Sequence, residues 1–155
     1  MYKKTFLDSN LDILESAKES YEFAVNNYKF VNENDFSKLQ SSVLSSPKYS
    51  YLFAKNVPGA DIKKLQESVL PYPVTSAVFA MFVSGADIKE LQKSASSNPK
   101  ASCLFALCVP GADVKLLKSH MDDKYLSKYN QLTMYSKNFN VFDMLRNINH
   151  LSEQK

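Results

Sequence analysis

Three aspartates, Asp61, Asp87 and Asp113, recur at intervals of 26 residues. Carboxylates repeated in this way are the residue type from which an acid site or a hard-cation site is built. They are also the residues that most favour the first position of a helix, where the side chain accepts a backbone amide hydrogen. Geometry favours the second role. Packed helices lie about 8–10 Å apart, whereas a calcium ion needs oxygens at about 2.3–2.6 Å, so neighbouring repeats should not share an ion. No metal or cofactor is expected. Lys63, Lys89 and Lys115 form a second column at the same interval. Such a ladder could follow a phosphate backbone. It reads more readily as a solvated helix face, because the aspartates lie close by and Glu67 and Glu90 interrupt the positive charge.

The remaining chemistry-bearing residues are few. His120 and His150 are the only histidines, and neither falls in a Ser-His-Asp, His-x-x-x-His or Cys-His pattern. Cys103 and Cys108 are five residues apart. On one helix they point about 140° away from each other, since each residue turns about 100°. They read as small core residues and as free thiols of a reducing cytosol. No catalytic residue is expected. The first ten residues, MYKKTFLDSN, lack the apolar run of a signal peptide. The longest apolar stretch, Ala77 to Val83, is far short of the roughly 20 residues that span a bilayer. A cytoplasmic protein is the expectation.

Composition narrows the partners. The chain has 155 residues and is 45% hydrophobic, enough for one domain with a sizeable core. Its net charge of +3 is carried by lysines, with a single arginine at Arg146. Arginine supplies the planar fork that reads base edges, so sequence-specific DNA recognition is disfavoured. Abundant Lys, Asn, Tyr and Phe beside one Arg point to an AT-rich genome, bacterial or phage.

What positions these residues is a tandem repeat. SSPKYSYLFAKNVPGADIKKLQESVL (residues 45–70), PYPVTSAVFAMFVSGADIKELQKSAS (71–96) and SNPKASCLFALCVPGADVKLLKSHMD (97–122) align without gaps. Pro47, Pro73 and Pro99, then Phe53, Phe79 and Phe105, then Gly59, Gly85 and Gly111, then Leu65, Leu91 and Leu117 all keep the period of 26. Upstream, Val31, Asp35, Leu39, Gln40 and Val43 extend it, so residues 21–44 form an earlier unit, with four extra residues in its first helix or turn. Downstream the pattern fades into a cap at residues 123–155 with room for two helices. The whole of 1–155 reads as a single helical-repeat domain.

Each unit reads as a helical hairpin. Proline suits the first position of a helix, where no amide hydrogen is required, and Ser46 and Asn98 precede it as N-caps. The first helix stops at Val-Pro-Gly-Ala, where Pro and Gly suit the central positions of a type II turn. Ser84 replaces the proline in the middle unit. The second helix starts at the aspartate, and Asp87 with Glu90 forms a capping-box pattern. Ile62, Leu65 and Val69 then line one apolar stripe. A hairpin this small buries its stripe only by stacking on others. The expected fold is all-α: a right-handed α-solenoid of about four stacked hairpins plus terminal capping helices. About nine helices are expected, including one over about Asn10 to Asn26 and a last one over about Val141 to Ser152.

The departures from periodicity are apolar. Lys55 and Asn56 become Met81 and Phe82 in the next unit, then Leu107 and Cys108. The helix containing Ala77 to Val83 is therefore apolar almost all round and should be covered on both sides, either by the C-terminal helices folding back or by a partner. Leu116 stands where Lys64 and Glu90 stand in the preceding units. Tyr49, Tyr51 and Tyr72 add an aromatic group that serves equally at interfaces and in cores.

Through the VPGADI-K-LQ and FA columns, residues 21–121 resemble the short helical-repeat class that includes HEAT-like and leucine-rich-repeat-variant solenoids, with a shorter period than HEAT units. The resemblance implies a surface that binds proteins or, less often, nucleic acid. The functional expectation is a non-catalytic protein-interaction module, a phage-encoded or bacterial accessory factor, with Met81, Phe82, Leu107 and Leu116 as the partner surface. The partner would be another protein or a second copy of the chain, and no membrane is involved. The alternatives are a nucleic-acid-binding repeat protein using Lys63, Lys89 and Lys115, or a self-assembling structural protein.

Overall fold

The computed structural model describes Leu7 and residues 11–135. Among these residues every regular element is helical, and the helices pack in sequence-neighbouring pairs, an all-α repeat fold. A 3-10 turn at Leu11–Leu14 leads into α1 (Ala17–Asn27) and α2 (Glu33–Val43). Then come α3 (Pro47–Asn56) with α4 (Ile62–Val69), and α5 (Pro73–Phe82) with α6 (Ile88–Ala95). They are followed by α7 (Pro99–Cys108) with α8 (Val114–Ser119), and by α9 (Asp123–Tyr135). The helix expected over Val141 to Ser152 lies outside the described residues.

Two compact units divide the chain. One holds the residues up to Val69 together with Phe82–Ala86, and the other holds Leu70–Met81 and the residues from Asp87 onward. In the first, α1 packs on α2 and on α3, and α3 on α4. In the second, α7 packs on α6, α8 and α9.

The repeated columns are the core. Phe53, Phe79 and Phe105 are fully buried, as are Leu39, Leu65, Leu91 and Leu117. Burying one such side chain is worth about 1.5–3 kcal/mol, so a period that places the same residues inward in every unit builds the interior additively. α9 adds the buried Leu132 to the second unit.

The N-terminal region departs from the expected single helix over Asn10 to Asn26. Ser16 is extended, with φ −126° and ψ 126°, and its hydroxyl accepts the amide hydrogen of Glu19 at 3.4 Å. That local cap ends the 3-10 turn and restarts the chain as α1. In the upstream unit α2 begins at Glu33, two residues before the Asp35 column. Asn32 is its N-cap, with Oδ1 accepting from the amide of Asp35 at 2.9 Å and Nδ2 lying 3.2 Å from Asp35 Oδ2. The backbone bond is an N-cap, the side-chain contact ties the Asp35 carboxylate to Asn32, and Asp35 lies buried in the first turn.

The hairpin turns have the required backbone. Gly59, Gly85 and Gly111 adopt φ of 82°, 81° and 78°. The amide of Ala60 donates to the carbonyl of Val57, and that of Ala112 to that of Val109, both at 3.3 Å, closing turns around Pro58-Gly59 and Pro110-Gly111. A Cβ added at Gly85 would meet no atom within 4 Å. Its replacement is therefore opposed by backbone strain alone. Gly85→Val should cost about 1 kcal/mol or more, and Gly85→Asn less, because Asn visits the left-handed region more readily. Thermal melts of the two variants check this, and equal melting temperatures would contradict it.

Candidate functional site

A helix leaves its first amides without intrahelical partners. The aspartate column answers part of that need. Asp61 Oδ1 accepts from the Lys64 amide at 3.1 Å, Asp87 Oδ1 from Lys89 and Glu90 at 3.0 and 3.1 Å, and Asp113 Oδ1 from Leu116 at 3.0 Å. Asp122 does the same for Tyr125 at 2.9 Å, opening α9. These carboxylates are occupied at helix ends, and no group of three or more His, Cys, Asp or Glu suited to a metal occurs among the described residues.

The aspartates' own amides are met by a different residue, one to which the repeat alignment assigned no role. Gln40 Oε1 accepts from the amide of Asp61 at 2.8 Å, and Gln92 Oε1 accepts from the amide of Asp113 at 2.8 Å. Each glutamine thus reaches 21 residues forward, from the second helix of one hairpin to the second helix of the next. Gln66 occupies the same column and is buried. In the fourth hairpin the column ends in Lys118, whose Nζ lies 5.1 Å from the centre of the Tyr129 ring on α9. At the other end, the amide of Asp35 is met by Asn32 from its own helix.

A buried serine column works in the opposite direction. Ser20, Ser50 and Ser102 are fully buried, and each hydroxyl donates to the carbonyl seven residues earlier. The partners are Ile13 at 2.8 Å, Val43 at 3.0 Å and Ala95 at 3.3 Å, which end the preceding element or lie in its last turn. Carbonyls left over at those ends therefore receive donors. Ser76 is the fourth member, with Oγ 2.9 Å from Ser94 Oγ, and Ser94 donates to the carbonyl of Leu70 at 2.6 Å. The 26-residue spacing of Ser50, Ser76 and Ser102, and of Gln40, Gln66 and Gln92, was available in the sequence as a signal.

Lys63, Lys89 and Lys115 are all exposed. Among the apolar candidates, Met81, Phe82 and Leu107 are half-buried, and Leu116 is 43% exposed. Part of the cover on Phe82 comes from α3: the Tyr51 ring lies 6.4 Å away and Lys55 Nζ stands 4.8 Å above the ring centre. Tyr49 pairs with Tyr21 at 5.9 Å, and Tyr72 is exposed, so the three tyrosines grouped in sequence have separate surroundings. Phe30 and Met134, 86% and 82% exposed, are apolar surface residues that the repeat pattern did not single out.

His120 is exposed and closes α8 through its backbone amide, while His150 lies outside the described residues. Burial pushes the Cys103 thiol up to about 12 and the Cys108 thiol up to about 11. Thiolate is the nucleophilic form, so burial disfavours it at both, and neither cysteine is in a disulfide. A cavity of about 300 Å³ between Leu7, Phe23, Phe30, Val31 and Asp35 holds a carboxylate already engaged by Asn32 and by Lys38 at 3.5 Å. No helix among the described residues is long and apolar enough to cross a membrane.

Searches against protein-family models, curated proteins and solved structures found no match to this chain.

The glutamine bonds carry a direct prediction. Gln40→Leu leaves a part-buried amide unsatisfied, which costs about 1–3 kcal/mol. Gln131→Ala, on an exposed site of α9, should change stability by no more than about 0.5 kcal/mol. Urea midpoints of the two variants check this, and equal midpoints would contradict the role given to Gln40.

Proposed function

We propose that this chain is a non-catalytic protein-interaction module whose partner-facing residues are Leu116 together with Met81, Phe82 and Leu107. The observation that carries the reading is Leu116. In its column the preceding units place Lys38, Lys64 and Glu90, whereas here a leucine is 43% exposed to water. The change trades a hydrated charge for exposed apolar surface, which supports a partner-covered region where it adds to Met81 and Leu107. The aspartates, glutamines and serines that could carry chemistry are engaged in holding helix ends, which supports the non-catalytic part of the reading. That neither Cys103 nor Cys108 is in a disulfide supports a reducing cytoplasm, and the lysine-rich, arginine-poor composition supports a bacterial or phage accessory factor.

The test is affinity capture on the tagged chain, with Leu116→Lys and Lys63→Glu run beside the wild type. A partner protein that is retained by Lys63→Glu and reduced at least tenfold by Leu116→Lys is the expected result. Recovery that is indifferent to Leu116→Lys would overturn the surface assignment.

Exposure of Lys63, Lys89 and Lys115 supports a second reading, nucleic-acid binding. It requires affinity that falls steeply with salt, and a slope that becomes shallower by about 0.9 for each phosphate the protein no longer neutralises. A titration of the wild type and the triple Lys→Glu variant with single- and double-stranded DNA separates the readings.

A further inference from the structure

In the hairpins from Pro47 onward the acidic residues keep to the second helix, which carries lysines as well. From Pro47 to Ser119 every acidic residue lies on α4, α6 or α8 or at its N-cap: Asp61, Glu67, Asp87, Glu90 and Asp113. Among the first helices, α3 carries Lys48 and Lys55, α7 carries Lys100, α5 carries no charge, and none of the three carries an acid. Within the first compact unit this has a defined geometry. Ser50, Phe53 and Val57 point α3 into the core. At about 100° per residue, Lys48, Leu52 and Lys55 then fall on its outward ridge, with both lysines exposed and Leu52 half-buried.

Aromatic rings flank that ridge on both sides. Toward α1, Tyr49 packs against Tyr21 at 5.9 Å, and Tyr21 Oη accepts from Asn56 Nδ2 at 2.8 Å. On the other flank Tyr51 packs against Phe82 at 6.4 Å. The rings lie beside the cations: Lys48 Nζ is 5.3 Å from the Tyr49 ring centre, and Lys55 Nζ is 5.8 Å from that of Tyr51 and 4.8 Å from that of Phe82. On neighbouring α1, Glu22 is matched by Lys18 at 3.8 Å, so it does not neutralise the α3 lysines. The two lysines are seven residues apart, about 10 Å along the helix, with Leu52 between them.

We infer that this face of α3 docks an acidic helical segment of a protein partner, one carrying two carboxylates about two helical turns apart with an apolar residue between them. Two exposed ammonium groups beside aromatic rings bracket Leu52, and the complement is two carboxylates bracketing an apolar side chain. The inference rests on the protein-interaction reading and names the chemistry of the partner.

The probe is a fluorescein-labelled helical peptide with Glu at positions i and i+7 and Phe at i+4, titrated by anisotropy. A Lys-substituted version of the peptide and a 12-mer of oligo-dT serve as comparisons. The acidic peptide should bind the wild type and Lys63→Glu alike. It should bind at least tenfold more weakly to Lys48→Glu/Lys55→Glu, a variant whose fold is checked by its helical circular dichroism. Lys48→Arg/Lys55→Arg should retain the binding. No preference for the acidic peptide over the lysine peptide, or equal binding to the double Glu variant, would overturn the inference. So would a result in which oligo-dT binding is what the double Glu variant abolishes, which would make the face a nucleic-acid surface. A captured partner protein that depends on Leu116 but survives Lys48→Glu/Lys55→Glu would overturn it while leaving the interaction reading standing.

Discussion

The backbone amides of Asp61 and Asp113 have no partner within the helices they open, and a glutamine of the preceding hairpin supplies one. Gln40 supplies it to Asp61, and Gln92 supplies it to Asp113, each at 2.8 Å. The aspartate side chain then covers the amides one turn further on. One residue type thus caps from within the helix and another from the preceding hairpin. Hydrophobic burial of the Phe and Leu columns provides the larger free energy, but it is non-directional. The glutamine bond adds register, because it can form only when consecutive second helices are aligned. The serines do the corresponding task for the carbonyl ends.

The same column differs in the first and fourth hairpins. Asp35 takes its acceptor from Asn32, three residues back, and so needs no earlier unit. Lys118 replaces glutamine in the fourth hairpin and turns to Tyr129 on α9.

Much of this was legible in the sequence, for a physical reason. The period of 26, the glycines at positive φ and the aspartate caps are set by backbone geometry, which a residue type announces by itself. The glutamine and serine roles were less legible, since their partners lie 21 residues forward and seven residues back, and only packing brings them together. The Ser16 break before α1 and the start of α2 at Glu33 are local capping choices, in which Ser16 outcompeted the apolar pattern and Asn32 provides the cap. The confinement of the acidic residues to the second helices from Pro47 onward is visible in the sequence once the helix bounds are known. The aromatic rings beside Lys48 and Lys55 are a property of the packed structure.

The aspartate amides are where glutamine joins one hairpin to the next, and hydrogen exchange reads them directly. An N-cap amide ordinarily exchanges as fast as one in an open chain, having no helical acceptor. The amides of Asp61 and Asp113, followed by NMR, should instead be protected to a degree approaching that of the buried Leu65 and Leu117, and Gln40→Leu should abolish the protection at Asp61 while leaving Asp113 protected. Exchange at open-chain rates at both positions in the wild type, with Leu65 and Leu117 still protected, would contradict the claim that glutamine joins the hairpins.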